Sequence, residues 1–312
     1  MIYTLTLNPA VDRELTVPAM EFDSVLRATE ARVDFGGKGF NVSRLLKGMG
    51  ASSTAVGFLG GRAGELLQDG LQSLGIGTDF VWVPGETRTN VSIVTQSHDR
   101  YIKVNEKGPL VDETRQQELL EKIDSLAKPG DWWVLAGSLP PGVTDDFYAR
   151  VVNVLNKHEA HAILDTSGEA LKMGCAEKPY LVKPNAEEAH ALTGLPMETP
   201  AEIATAAAAI CSMGAHHVVV SMGKAGALLH TAQGTWLTHT PKIQEKNPIG
   251  AGDSMVGGLV WALTQGIALR ESLGWGVASG AATASLPGTE VGSRPLIEEL
   301  FAQVHYERLE TA

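Results

Sequence analysis

Residues 247–259 read NPIGAGDSMVGGL, and this stretch predicts a glycine-rich turn that leads into a buried helix. The apolar residues after Asp253 recur at helical spacing, which places Asp253 near the helix start. There the backbone N–H groups of Gly250, Ala251 and Gly252 are expected to lie free and to bind an anion. A carboxylate beside such a turn is unfavourable unless acid and anion belong to one reaction. The alternative is that Asp253 caps the helix.

Outward from this stretch, the chain alternates strand-length and helix-length segments. Apolar runs such as residues 161–165 and 217–221 are separated by amphipathic or alanine-rich stretches, which predicts parallel βαβ units. These runs are apolar on both pleat faces, as a sheet covered on both sides requires. We therefore expect a doubly wound α/β fold with a mainly parallel sheet and helices on both faces.

Polar residues and glycines follow the predicted strands, where ligands of doubly wound sheets bind. Turn geometry alone also favours such residues, so each position by itself is weak support for a site. Those positions are Asn8, Asp12, Gly137, Ser138, Asp165, Lys183, Asn185, Ser221 and Gly226.

The first hundred residues contain short segments of alternating polarity with turn residues between them. Such segments are typical of small antiparallel strands with one face in water. The chain has no repeat, linker or low-complexity tract. We expect residues 1–312 to form a single domain, with an antiparallel β lid formed by inserted segments at about 11–35 and 87–106.

Composition excludes several classes of protein. Among the 312 residues, 44% are hydrophobic and the formal net charge is −11, which disfavours nucleic acid as a partner. Two cysteines, Cys175 and Cys211, form no disulfide framework and suit a reducing compartment. No secretion signal is apparent, and no apolar stretch is long enough for a membrane span. We expect a cytoplasmic protein without a membrane partner.

Familiar nucleotide and metal motifs are absent from the sequence. GAGDSMVG has its glycines out of register for the dinucleotide fingerprint, and no lysine lies in the P-loop pattern. His158 and His161 have no third ligand nearby, so a histidine metal site is not expected. A second glycine cluster, FGGKGFNVSRLL at residues 35–46, again predicts a turn into a helix. There Lys38 and Asn41 offer donors to hydroxyls or phosphate, although tight packing alone would explain the glycines.

The two glycine-rich stretches, GGKGFNVSR and NPIGAGDSMVGGL, resemble the two signatures of the ribokinase-like (PfkB) carbohydrate kinase family. Between them TLNPAVDR, ETRTN, AGSLPPG, LVKPNAEE and SMGKAG follow the family's order, so the resemblance covers essentially the whole chain. It is strongest to bacterial members that phosphorylate fructose 1-phosphate with ATP. A kinase of free sugars is less favoured, because Arg88 stands where phosphosugar kinases carry a phosphate-binding arginine. Alternatives are a 6-phosphofructokinase or a tagatose-6-phosphate kinase of the same family, and a non-catalytic sugar-phosphate sensor.

The resemblance implies a role for each matching residue. Asp253 would accept the proton of the sugar hydroxyl, while Gly250, Ala251 and Gly252 hold the phosphoryl charge. The helix end should favour ionised Asp253, and a weak base is sufficient in a loose transition state. Asn185 and Glu188 match an NxxE motif that holds Mg²⁺ through water. Residues implied for the phosphosugar are Asp12, Gly37, Lys38, Asn41, Arg88, Arg27 and Ser138; those implied for ATP are Lys183, Asn185, Ser221, Gly223, Gly226 and Ser279.

The alternative for Arg27 and for Glu188 is a solvated surface charge. Lid strands of family members often pair with another subunit, so the resemblance also implies a homodimer through the lid.

Overall fold

A ten-stranded sheet forms the centre of the molecule in the computed structural model, which describes residues 1–97 and 100–309. The seven strands from β11 to β5 in spatial order are parallel, and β12, β13 and β14 are antiparallel. The expected mainly parallel sheet is therefore confirmed. In spatial order the strands are β14 (His305–Leu309), β13 (Gly234–His239), β12 (Ala227–Thr231), β11 (His217–Ser221), β10 (Leu181–Val182), β9 (His161–Asp165), β8 (Trp132–Ala136), β1 (Ile2–Thr6), β4 (Thr54–Leu59) and β5 (Gly77–Trp82).

Helices cover both faces of this sheet, because its strands are apolar on both sides. In β1, Tyr3 and Leu5 pack into one apolar core and Ile2 into the other. On the face of Tyr3 lie α3 (Glu113–Leu126), α4 (Phe147–Lys157), α5 (Gly168–Ala176), α6 (Ala186–Thr193) and α7 (Pro200–Ser212). On the opposite face lie α1 (Lys38–Gly48), α2 (Gly61–Ser73), α8 (Ala251–Thr264), α9 (Leu269–Ala284) and α10 (Arg294–Phe301).

The strand order reverses in the middle of the sheet. From β1 the chain proceeds to β4 and β5 on one side, and later from β8 to β11 on the other. In doubly wound sheets the ligand crevice lies at the carboxyl ends of the strands beside such a reversal. Polar residues that follow the parallel strands at this edge are Asn8, Ser138, Asp165, Lys183, Asn185 and Ser221.

A second, small sheet contains the strands β3 (Glu30–Gly36), β2 (Ala10–Val17), β6 (Arg88–Thr95) and β7 (Tyr101–Asn105), in that order. Its edge pairs, β2 with β3 and β6 with β7, are antiparallel as expected. The central pair, β2 with β6, is parallel. Between these two strands the chain runs through β3, α1, β4, α2 and β5, and a crossover of this length permits parallel pairing.

The two faces of the small sheet differ in polarity. On one face Asp12, Asp34 and Asn90 align across β3, β2 and β6. On the other face Val33 and Val104 lie in one cross-strand row, and both are exposed. The polar face is therefore the one that can contribute to a binding site.

Within the described residues, no helix has both the length and the apolar character that a membrane crossing demands.

Candidate active site

The start of α8 is shaped by Gly250, whose left-handed conformation (φ 79°) suits glycine. Gly250 occupies the N-cap position, and Asp253 is the third residue of the helix. The alternative that Asp253 caps the helix is therefore wrong. The Asp253 carboxylate instead accepts a hydrogen bond from Asn41 Nδ2 of α1, at 2.8 Å.

Free N–H groups lie at this helix start. The N–H groups of Gly250, Gly252 and Asp253 have no hydrogen-bond partner within residues 1–97 and 100–309. Ala251 departs from expectation: its N–H donates to the Pro248 carbonyl at 3.1 Å, because the turn closes on itself. Three backbone donors thus remain for an anion at the positive end of α8.

Two lysines converge on a buried carboxylate beside this turn. Lys38 Nζ lies 3.0 Å and Lys183 Nζ 3.3 Å from Asp165 Oδ1, and Asp165 is only 1% exposed. Burial would raise the pKa of Asp165, but the two lysines outweigh it and hold the pKa below its ordinary value. Lys183 also approaches Gly252: its Nζ lies 3.8 Å from where a Cβ on Gly252 would stand. A positive charge therefore lies next to the free N–H groups.

Asp165 is a site residue to which the sequence reasoning assigned no role. Its position directly after the apolar run of β9 was the available signal. Its two partners come from α1 and from the end of β10, far apart in sequence, so no local pattern could reveal the cluster.

Asp253 itself is 8% exposed, and burial raises its pKa to about 6, with a further contribution from Asp165. The Asn41 hydrogen bond and the charges of Lys38 and Lys183 act in the opposite direction but only in part. The sequence analysis expected the helix end to favour ionised Asp253, whereas burial and Asp165 raise its pKa. A carboxylate with this pKa is suited to accept a proton near neutral pH.

On the side of the small sheet, Asp12 faces the start of α8. Asp12 Oδ1 accepts a hydrogen bond from Asn90 Nδ2 at 2.8 Å. Asp12, Asn41 and Gly250 line one small cavity between the small sheet and α8. Gly37 is the N-cap residue of α1, directly before Lys38. The structure therefore brings Asp12, Gly37, Lys38, Asn41 and Asp253 together.

Arg88 begins β6 and is half-buried. Its Nη2 and Nε donate to the Asn8 carbonyl at 2.9 and 3.2 Å, and its Nη1 to the Glu106 carbonyl at 3.3 Å. Burial lowers the pKa of the guanidinium, and Asp12 opposes this shift. Arg27 lies in the exposed 18–29 loop and Ser138 is exposed after β8. In the part of the chain that the structure describes, neither forms a hydrogen bond with Arg88.

A cavity of about 590 Å³ opens on the other side of the turn, between the ends of β10 and β11 and the helices α8 and α9. It contains some of the residues expected for ATP, but not all. Gly226 packs against the Thr238 carbonyl, and Ser279 is fully buried against Gly258 where α8 crosses α9. Ser279 does not line this cavity, and its assignment to ATP stays a prediction. Site residues that line the cavity are Asn185, Ser221, Gly223, Ala251 and Gly252.

The NxxE motif forms a capping box at the start of α6. Asn185 Oδ1 accepts from Glu188 N, and Glu188 Oε2 accepts from Asn185 N, both at 2.8 Å. Glu188 is also close enough to Lys38 to raise the pKa of that lysine. The described residues contain no group of three or more His, Cys, Asp or Glu that could hold a metal alone. Glu188 is a single, partly exposed carboxylate, and Asn185 next to it lines the cavity. Few carboxylates suit Mg²⁺ that keeps several waters and binds phosphate.

Comparisons with known proteins agree with this geometry. The sequence model of the pfkB family carbohydrate kinases matches residues 5–295. A 1-phosphofructokinase of Bacillus subtilis (strain 168) is 36% identical over 309 residues, covering 99% of this chain and 100% of the relative. A D-tagatose-1-phosphate kinase of Bacillus licheniformis is 34% identical over 310 residues, covering 99% and 100%. The solved structure of phosphofructokinase-2 from Escherichia coli in complex with potassium superposes with a TM-score of 0.92 at 32% identity, covering 97% and 98%.

Proposed function

Because this chain belongs to the pfkB family of carbohydrate kinases, we propose that it transfers the γ-phosphoryl group of ATP to fructose 1-phosphate and forms fructose 1,6-bisphosphate. Family membership makes it an ATP-dependent sugar kinase acting on a sugar phosphate. The observation that carries the proposal is the buried Asp253, with a pKa raised to about 6, beside free N–H groups and a lysine.

The catalytic step joins the proton acceptor and the anion site. Asp253 accepts the proton of the C6 hydroxyl as the hydroxyl oxygen attacks the γ-phosphorus of ATP. The bond from the γ-phosphorus to the β,γ-bridging oxygen breaks, and ADP leaves. The N–H groups of Gly250 and Gly252 and the Lys183 ammonium stabilise the charge on the phosphoryl oxygens. Asp165 pairs with both Lys38 and Lys183 and holds the two ammonium groups in place before substrates bind. Ala251 contributes through the shape of the turn, since its N–H is already used.

The sugar phosphate binds between the small sheet and α1. Asp12, Gly37 and Asn41 contact the sugar hydroxyls, and Lys38 adds a charged donor next to them. Arg88 binds the phosphate that the substrate already carries, because a guanidinium fork matches a phosphate with two parallel hydrogen bonds. Its bonds to the Asn8 and Glu106 carbonyls fix the direction of the fork. Arg27 and Ser138 are further candidates for the same phosphate.

ATP occupies the cavity beside the turn, with its γ-phosphate directed to Gly252. Ser221 and Gly223 contact the nucleotide, and Lys183 reaches its terminal phosphate. Glu188 and Asn185 would hold Mg²⁺ through water, since Glu188 Oε2 and Asn185 Oδ1 already serve the capping box. A bound Mg²⁺ would supply positive charge to the phosphates.

The small sheet acts as the lid over the sugar within a single domain, and its outer face pairs with a second copy of the chain. Val33 and Val104 on this face are 46% and 60% exposed, and Phe22 and Val25 in the adjoining loop are each 84% exposed. An exposed apolar area of this kind on a sheet is characteristic of an interface. A homodimer through the lid therefore covers these side chains.

A second substrate has specific support. The D-tagatose-1-phosphate kinase relative is nearly as similar as the 1-phosphofructokinase, and its substrate differs from fructose 1-phosphate in the configuration at one carbon. Fructose 6-phosphate and tagatose 6-phosphate carry the phosphate on C6 and the reacting hydroxyl on C1. Activity on them would require the sugar to bind in the reverse direction, with C1 at Asp253 and C6 at Arg88. A non-catalytic sensor would not need Asp253 at a free helix start.

The test is ATP-dependent product formation with purified protein and a panel of ketoses. The panel contains fructose 1-phosphate, tagatose 1-phosphate, fructose 6-phosphate, tagatose 6-phosphate and fructose. We expect the highest kcat/KM with fructose 1-phosphate. A higher value with either 6-phosphate contradicts the proposed substrate, and the absence of transfer to any of the five contradicts the proposed activity.

A further inference from the structure

Polar contacts outside the reacting groups connect the small sheet to the turn that binds the phosphoryl anion. Asp34 of β3 lies directly beside Asp12 in the strand register. Asp34 Oδ1 accepts a hydrogen bond from the Thr289 hydroxyl at 2.7 Å, and Asp34 Oδ2 pairs with Arg32 Nε at 3.0 Å. Arg32 Nη2 donates in turn to the Thr289 hydroxyl oxygen. The small sheet is thereby joined to the 285–293 loop between α9 and α10.

The same loop contacts the turn before α8. The Gly288 carbonyl accepts a hydrogen bond from Asn247 Nδ2 at 2.7 Å, and Asn247 Oδ1 accepts from Ile249 N at 3.0 Å. Gly288 has a φ of +60°, and a Cβ there would come within 2.1 Å of Arg32 Nη1, so only glycine permits this approach. The contacts run from Asp34 through Thr289, Gly288 and Asn247 to the residue before Gly250.

The 285–293 loop also forms hydrogen bonds with α1 and α9. Arg44 Nη2 of α1 donates to the Thr289 carbonyl at 3.0 Å. The Gly292 N–H donates to Thr283 Oγ1 at 3.1 Å, and Thr283 donates to Ser254 Oγ at 2.8 Å in a buried environment. A loop fixed on both sides transmits a displacement of the sheet instead of absorbing it.

We infer that Thr289 and Asn247 are positioning residues that couple sugar binding at the small sheet to the anion-binding turn before α8. The inference rests on the proposed function, which places the sugar at Asp12 and the terminal phosphate at Gly252. When the sugar draws the small sheet toward α1, the loop sets the position of Asn247 and with it the direction of the Gly250 N–H. Coupling of this kind is reciprocal, so the sugar phosphate raises the affinity for ATP, and ATP raises that for the sugar phosphate by the same factor.

The test measures this coupling factor directly. The Kd of a non-hydrolysable ATP analogue with Mg²⁺ is determined by calorimetry without and with saturating fructose 1-phosphate. We expect a decrease of at least about fivefold in the wild type. Thr289→Val keeps the side-chain shape but removes the hydroxyl, and Asn247→Ala removes the amide. In both variants fructose 1-phosphate should change the Kd of the ATP analogue by no more than about twofold. Each ligand alone should bind either variant within about threefold of wild type.

Two controls separate positioning from loss of structure. Thr289→Ser keeps the hydroxyl and should retain the wild-type factor. Thr205→Val removes an exposed hydroxyl on α7 that bonds only to the Ala201 carbonyl, and it should also leave the factor unchanged. Thermal unfolding of every variant checks that the fold is intact.

Several results would overturn the inference. A wild-type factor of one, an unchanged factor in Thr289→Val, or a Thr289→Ser variant as impaired as Thr289→Val each contradicts the hydroxyl relay while leaving the kinase activity in place. If the wild type does not phosphorylate fructose 1-phosphate, the proposed substrate fails instead. The coupling is then measured with the ketose phosphate that the protein does phosphorylate or bind.

Discussion

Opposing electrostatic influences act on the pKa of Asp253, and their balance decides at which pH it can accept a proton. Burial raises its pKa to about 6, whereas the Asn41 hydrogen bond lowers it. As a base it must be ionised, so kcat/KM should rise with pH through a midpoint near 6 and remain level above it. Asn41→Ala removes a lowering influence, and the midpoint should move to higher pH. Rate profiles between pH 5 and 8 measure both values.

A matched control for the pH profile is Asn153→Ala, because Asn153 makes an exposed hydrogen bond to Glu177 on the far side of the molecule. Its profile should coincide with that of the wild type. A wild-type profile that is flat across this range, or a midpoint that Asn41→Ala does not raise, would argue against Asp253 as the proton acceptor.

Arg88 provides the second prediction at the scale of single residues. Arg88→Ala should lower kcat/KM for fructose 1-phosphate on the order of 30- to 1,000-fold, about 2 to 4 kcal/mol of transition-state binding. The loss on unphosphorylated fructose should be far smaller, because that sugar has no phosphate to bind. Arg88→Lys keeps the charge but not the fork and should recover only part of the activity. Equal losses on both sugars would mean that Arg88 supports the small sheet through the Asn8 and Glu106 carbonyls.

Sequence reasoning located Asp253, Lys38 and Asn41 because each lies in a distinctive local pattern. It failed where burial decides the outcome. The direction of the Asp253 pKa depends on how deeply α8 is covered, and the burial of Ser279 depends on the contact between α8 and α9. Both properties come from residues distant in sequence, and a single sequence does not show such packing.

At the scale of elements, the NxxE motif forms the capping box of α6, and we propose that it also holds Mg²⁺ through water. Glutamine can replace glutamate in a capping box, so Glu188→Gln should preserve the start of α6 and the thermal stability. It removes the negative charge, however, and should raise the Mg²⁺ concentration needed for half-maximal activity. Initial rates over a metal titration measure this shift. An unchanged metal titration would contradict a role of Glu188 in Mg²⁺ binding. Full turnover in excess chelator would contradict any role of Mg²⁺ in the reaction.

The elements themselves were predictable to different degrees. The parallel strands β8, β9 and β11 are short apolar runs, and the helix-length segments between such runs identified them as strands of a parallel sheet. The pairing of β2 with β6 was not accessible, because two strands more than seventy residues apart along the chain carry no local signal of their relative direction.

At the scale of the whole molecule, we propose that the outer face of the small sheet forms the dimer interface. We expect the wild type to sediment as a dimer and Val33→Lys to sediment as a monomer, since burying a lysine in place of an apolar side chain is costly. Lys103 lies on the opposite face of the same sheet, so Lys103→Glu is the control and should leave the dimer intact. Analytical ultracentrifugation distinguishes these states. A monomeric wild type, or a Val33→Lys variant that stays dimeric, contradicts the proposed interface.

The proposal as a whole requires that Asp253 drives phosphoryl transfer to the C6 hydroxyl of fructose 1-phosphate. Phosphorus NMR of the reaction with ATP and Mg²⁺, run in parallel for the wild type and Asp253→Asn, tests this requirement most directly. We predict fructose 1,6-bisphosphate and ADP as wild-type products, and a kcat about 10² to 10⁴-fold lower in Asp253→Asn with little change in KM. A wild type that forms no bisphosphate, or an Asp253→Asn variant that keeps more than about a tenth of the wild-type kcat, would contradict the account.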